Sequence, residues 1–233
     1  MSARALAAAP AVVVGVVLMI IVAIVVHPLI GIGIGIVATA TVVWFGLNRA
    51  TASALSALGA QPLDDGVEPR LESLVESICA SHGIAEPTLY TVASAAVDAA
   101  VVGQPEDTHL VVTTGMIDEL DRLEMEAVIA RQLSMFGSGV HAATVLAGLG
   151  SWTGPLAPRL RARLLDDRRL VRADFDAVAV TRYPPALAAA FEKAASAPRV
   201  AHVDRADHLW MVGSGTTSVQ PDVAERVDAL REL

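Results

Sequence analysis

Residues 118–137 read DELDRLEMEAVIARQLSMFG. Met125, Val128, Ile129 and Phe136 recur at helical spacing and form one apolar stripe. A helix with such a stripe buries that face, so this run predicts a domain whose core is assembled around it. Arg131 and Met135 lie one turn apart on the same helix, and Gln132 sits beside the stripe.

Outward from that helix, both kinds of periodicity are visible. LESLVESICASHG places Leu71, Leu74, Val75, Ile78 and Cys79 on one helical face, with Gly83 as the stop. PTLYTV, VDAAVVG and HLVVTTG are rich in β-branched and apolar residues and read as three short strands. A helix follows from Met116. Beyond Phe136, VHAATVLAGLGSWTGPLAP is apolar but interrupted by Gly and Pro, and reads as a buried or re-entrant helix. RLRARLLDDRRLVRADFDAVAVT, PPALAAAFEKAAS and PDVAERVDALREL complete the chain as helices. The predicted fold class is α+β, with a small sheet among several helices.

Composition adds a second element. Of the 233 residues 54% are hydrophobic, the net charge is -8 and there is one cysteine. The acidic balance, with no broad basic face, argues against nucleic acid as a partner. Cys79 alone excludes an internal disulfide and a cysteine-based zinc site. The apolar excess is concentrated over 10–26 and 29–47, two runs without a charged residue, separated by His27 and Pro28. Each approaches the roughly 20 residues that cross a bilayer. They predict a transmembrane helical hairpin over 1–49, with Trp44 near the hydrocarbon boundary, followed by a linker over 50–70 and a domain over 71–233. A cleaved leader is disfavoured, since no small-residue cleavage site precedes the second run. Arg4 and Arg49 flank the pair, while the turn between has no basic residue. Both termini, and the domain, are therefore expected in the cytoplasm. Gly31, Gly33 and Gly35 alternate with Ile, and Gly31 with Gly35 gives a spacing that permits close helix contact.

The order of these pieces carries a resemblance. RLESLVESICASHGIAEPTLYTV, HLVVTTGMIDELDRLEMEAVIARQLSMF, RRLVRADFDAVAVTRYPPALAAAFEKAAS, HLWMVGS and QPDVAERVDALREL occur in the order of the corresponding segments of the membrane-bound M48 metallopeptidases, the HtpX-like gluzincins. The chain resembles that family over almost all of its length beyond the hairpin. The resemblance implies a gluzincin-like domain. In the family, His-Glu-x-x-His on the central helix and a downstream Glu hold zinc, and the first Glu activates water.

Here the resemblance sets Arg131 on the first His, Gln132 on the general base, Met135 on the second His and Leu170 on the downstream Glu. Asp174, four residues later, is retained. A guanidinium has no lone pair for a metal, and neither an amide nor an isobutyl group can replace a carboxylate. The expectation is therefore no zinc, no cofactor and no enzymatic activity. Arg131 brings a fixed charge to the place the ion would hold, beside the matching Asp174. The expected replacement is an Arg131–Asp174 ion pair, with Leu170 and Met135 as apolar filler.

Three further groups are candidates. HVDRADH places His202, Asp204, Asp207 and His208 close in sequence, either as ligands for a relocated divalent ion or as a solvated turn. The family reads extended substrate against a sheet edge. The residues that match it, Asp98, Ala99, Ala100 and Val101, either bind an extended peptide or are capped by a loop or partner. Arg159, Arg161 and Arg163, followed by Arg168 and Arg169, either contact anionic headgroups or form a solvated face with Asp166 and Asp167. No G-x-S-x-G elbow is present.

The functional expectation is a catalytically inactive, M48-like pseudo-peptidase in the cell membrane. Its partners would be the bilayer and another membrane protein complex, in which it serves as an accessory, scaffold or regulatory subunit. The alternatives are a free-standing pseudo-protease that binds extended peptides or competes with active relatives, and an enzyme with relocated metal chemistry.

Overall fold

A computed structural model describes residues 12–17, 19–20, 28–104, 107–137, 140–153, 165, 168–201, 203, 205–214 and 222–233. Among them helix α1 spans Pro28–Leu58. There follow β1 (Gln61–Pro62), α2 (Pro69–His82), β2 (Thr88–Val92), β3 (Ala99–Gln104) and β4 (Asp107–Thr113). Then come α3 (Thr114–Glu119), α4 (Arg122–Ser134), α5 (Val140–Thr153), α6 (Arg168–Thr181), α7 (Pro184–Ser196) and α8 (Val223–Arg231). The class is mixed α+β, with a small sheet and many helices.

The sheet order is β1-β2-β4-β3. β4 runs parallel to β2 and antiparallel to β3, with Ala99 opposite Val112 and Val101 opposite Leu110. Because side chains alternate along a strand, this register sorts the apolar residues onto two faces. Ala99, Val101, Leu110 and Val112 join α2, α4, α6, α7 and α8 in one apolar cluster. Ala100, Val102 and Val111 join the end of α1, α5 and Trp210 in the other. Both faces are covered, which is why β3 and β4 read as near-continuous apolar runs.

Local chemistry sets the ends of the key helices. α2 begins with Pro69 in its first turn and stops where Gly83 takes a left-handed conformation, φ 63. Sequence periodicity predicts one helix from Met116. The structure breaks it at Leu120, because Asp121 restarts it: its carboxylate accepts from Glu124 N at 2.9 Å while Glu124 accepts from Asp121 N at 2.7 Å. That reciprocal capping box satisfies two otherwise orphaned donors.

The predicted boundaries shift at the N-terminal side. α1 does not end at 47 but continues to Leu58, and Ala50, Ala54, Leu55, Ala57 and Leu58 are buried against the domain. Gln61 and Pro62 pair with β2. Half of the expected linker over 50–70 is thus part of the folded unit, since its small side chains let α1 approach α5 closely. One described helix, over Ile34–Leu58, is long and apolar enough to cross a bilayer. Of the first apolar run, 12–17 and 19–20 are described and helical. Gly15 there lies against Gly35, where a Cβ would come within 2.7 Å of the Gly35 carbonyl oxygen.

Candidate functional site

α4 presents Arg131 and Gln132 inward, and α6 presents Leu170 and Asp174 toward them. Arg131 is 1% exposed and Asp174 3%. Arg131 Nε donates to Asp174 Oδ1 at 2.6 Å, and its Nη1 donates to Gln132 Oε1 at 3.1 Å. Gln132 Nε2 in turn donates to the carbonyl of Ala99 on β3. Met135 and Leu170 are buried in the same apolar cluster.

A second arginine completes the arrangement. Arg226 of α8 donates from Nε to Asp174 Oδ2 and from Nη2 to Asp174 Oδ1, both at 2.8 Å. Its Nη1 donates to the carbonyl of Met211 at 3.0 Å, and its guanidinium stacks 3.9 Å from the centre of the Phe191 ring. Asp174 therefore bridges two buried cations rather than one. Sequence reasoning missed Arg226. The available signal was its position on the apolar stripe of α8, with Val223, Val227 and Leu230, where a charge requires a buried partner.

The two carboxylates of this region differ. Burial alone would raise Asp174, but Arg131 and Arg226 hold it below the ordinary carboxylate range. Its contribution to stability is present above that range and is lost as the pH falls through its depressed folded value. Asp98 is pushed up to about 6 by burial, against four backbone N–H donors that pull it down. Because the folded chain holds this proton more tightly than the unfolded one, Asp98 favours folding in acid. That contribution is lost as the pH rises through about 6.

Asp98, Ala99, Ala100 and Val101 are buried. Trp210 pairs with Ala100 in antiparallel fashion, and Met211 N donates to Ala99 O at 2.8 Å. Further along, Thr144 of α5 accepts from Gly103 N at 3.0 Å.

The remaining candidates separate. His202 and Asp204 lie outside the described residues. Asp207 and His208 are buried, not in a solvated turn, and His208 Nε2 is 3.0 Å from the Ala143 carbonyl oxygen. Among the described residues no group of three or more His, Cys, Asp or Glu side chains is placed to hold a metal ion. Arg159, Arg161, Arg163, Asp166 and Asp167 lie outside the described residues. Arg169 is buried, with Nη2 donating to the His208 carbonyl at 3.4 Å, so it does not face a lipid surface.

Zinc, the metal the resemblance implies, does not fit this donor set. The four positions offer a guanidinium, an amide, a thioether and an isobutyl group, and both oxygens of Asp174 are engaged by arginines. Added zinc or a chelator is accordingly expected to leave the thermal midpoint of the purified chain unchanged. A zinc-dependent rise would overturn this, because a ligand held by the native state alone must stabilise it.

No protein-family model matches the chain, and no solved structure matches it. Curated proteins do. The chain is 26% identical to a "Protease HtpX homolog" of Acidiphilium cryptum, over 77% of this chain and 79% of that protein. It is 29% identical to a protein of the same name from Dictyoglomus thermophilum, over 71% and 69%. A third, from Tropheryma whipplei, is 25% identical over 75% and 76%. These names correct the expectation of no enzymatic activity: the relatives are called proteases and point to a peptidase. Over most of its length, and on an α+β fold, the chain is similar to one set of proteins named as HtpX protease homologues.

Proposed function

We propose that this HtpX-like chain works through contacts with other polypeptides at a membrane, as an accessory, scaffold or regulatory subunit of a membrane protein complex. The observation that carries the reading is the Arg131–Asp174–Arg226 cluster. It sets organic charges where the resemblance puts an ion. Peptidase chemistry, to which the relatives point, would not run through a zinc held at Arg131, Gln132, Met135 and Leu170.

The anchor is proposed as a two-pass hairpin with both termini in the cytoplasm. The Gly15–Gly35 approach supports pairing of the two apolar runs. Arg4 and Arg49, against a turn without basic residues, support the orientation. Ile34, Ile36, Val37, Trp44 and Phe45 are exposed on α1 and would face lipid, and Arg49 stacks 4.7 Å from the centre of the Phe45 ring, where the helix would leave it. Residues 50–58 then dock on the domain rather than in the bilayer.

The test is purification of the full chain from detergent-solubilised membranes. A partner membrane protein retained in fixed stoichiometry is the expected result. A chain that runs alone and hydrolyses casein would replace this reading with that of a free-standing peptidase.

A further inference from the structure

We infer that residues 209–213 are an internal strap that holds the outer edge of β3 shut, and that the carboxylate of Asp98 is its latch. The inference rests on the reading that the domain works through polypeptide contacts, and it names the regulation of one such contact surface.

Ladder bonds alternate along an antiparallel pair. Thr113 N donates to Asp98 O at 3.1 Å, so Asp98, Ala100 and Val102 bond toward β4 and Ala99, Val101 and Gly103 turn their backbone groups outward. An incoming strand would need the carbonyl of Ala99. That oxygen already accepts from Met211 N and from Gln132 Nε2. The strap lies where such a strand would lie, with the antiparallel sense shown by the Ala100–Trp210 pair.

What holds it there is concentrated on one side chain. Met211 N, Val212 N and Gly213 N converge on Asp98 at 2.9, 3.2 and 2.7 Å. Gly213 has φ 69, the left-handed region in which glycine is unstrained, and this turns the third N–H onto the same carboxylate. Three consecutive N–H groups around one anion form a nest, here with the anion supplied from the strand that the strap covers. Beside these three, the strap's backbone bonds to β3 from Met211 N to Ala99 O. The charged groups around Asp98 are Arg131 of α4, which interacts with it electrostatically, and Arg226 of α8, which reaches the strap through the Met211 carbonyl. Asp174 of α6 lies between these two arginines. At the strap's far end Asp207 accepts from Ser214 N at 2.9 Å.

Asp98→Asn keeps the size of the side chain but sets a donor where one oxygen accepts. In the full chain in detergent, amide hydrogen exchange is expected to show the Met211, Val212 and Gly213 amides protected. The substitution should lower that protection by about 10- to 100-fold while the amides of α2 keep theirs. Unprotected strap amides in the wild-type chain would overturn the inference, and so would unchanged protection in the variant. If Asp98→Asn loses protection throughout, Gly213→Ala decides. It strains only the turn, and should loosen the strap selectively; unaltered strap exchange in that variant overturns the latch. A labelled peptide of residues 208–214, HLWMVGS, is then offered in trans. Its binding to the loosened variant but not to the wild type is the expected result. Selective loosening without peptide binding would leave the strap standing and remove the polypeptide-contact reading of this edge.

Discussion

Asp174→Ala is expected to destabilise the domain by about 3–5 kcal/mol, the range for breaking a buried ion pair from one side. It should exceed the effect of Arg131→Ala or Arg226→Ala. The reason is the charge count at the site. Two guanidiniums, both buried, converge on this one carboxylate. Removing either arginine leaves a paired carboxylate; removing Asp174 leaves two buried cations facing each other, with Asp98 as the remaining anion that interacts with Arg131. Arg131 Nη2 is already buried without an acceptor, so the cluster has no spare partner to absorb the loss. The double variant Arg131→Ala with Asp174→Ala should lose less than the sum of the singles, as coupled partners do. Chemical denaturation of the full chain in detergent checks both statements. An Asp174→Ala effect below that of Arg131→Ala would mean that the arginines, not the carboxylate, organise the site.

Sequence periodicity is enough for most of the fold, and the family resemblance for half of this cluster. α2 and its stop at Gly83, the strands β2 to β4 and the buried face of α4 all follow from spacing that one residue's neighbours enforce. Arg131 facing Asp174 follows from the family resemblance, which supplies a three-dimensional frame that spacing alone cannot. Arg226 was out of reach because it meets Asp174 across 52 residues, and nothing local specifies which distant arginine will arrive. The sequence places Asp98 at a strand edge, but its role depends on three backbone N–H groups more than a hundred residues later. A lone acid inside the apolar run AAVDAAVV was the available sign. The extension of α1 was missed for a different reason. Residues 50–58 are small and partly polar, so hydropathy reads them as a linker, while their size is what lets two helices meet.

That meeting point gives the second large effect. Gly148→Val is expected to destabilise the chain by about 1–3 kcal/mol, as overpacking at a filled contact does. A Cβ at Gly148 would lie 2.8 Å from Ala50 Cα and 3.0 Å from Ala50 O, so it meets backbone rather than a side chain that can rotate away. Ser53 Oγ also donates to the Gly148 carbonyl at 3.3 Å, fixing the two helices at the same place. The strain is local to the α1–α5 seam, yet that seam covers Ala100, Val102 and Val111 on one face of the sheet. Forcing α1 away from α5 therefore loosens the attachment of α1 and one wall of β3 together. The variant should lower the thermal midpoint and speed amide exchange over residues 50–58, while α2, packed on the opposite face, exchanges as before. Unchanged exchange over 50–58 would show that α1 does not depend on this crossing for its hold on the domain.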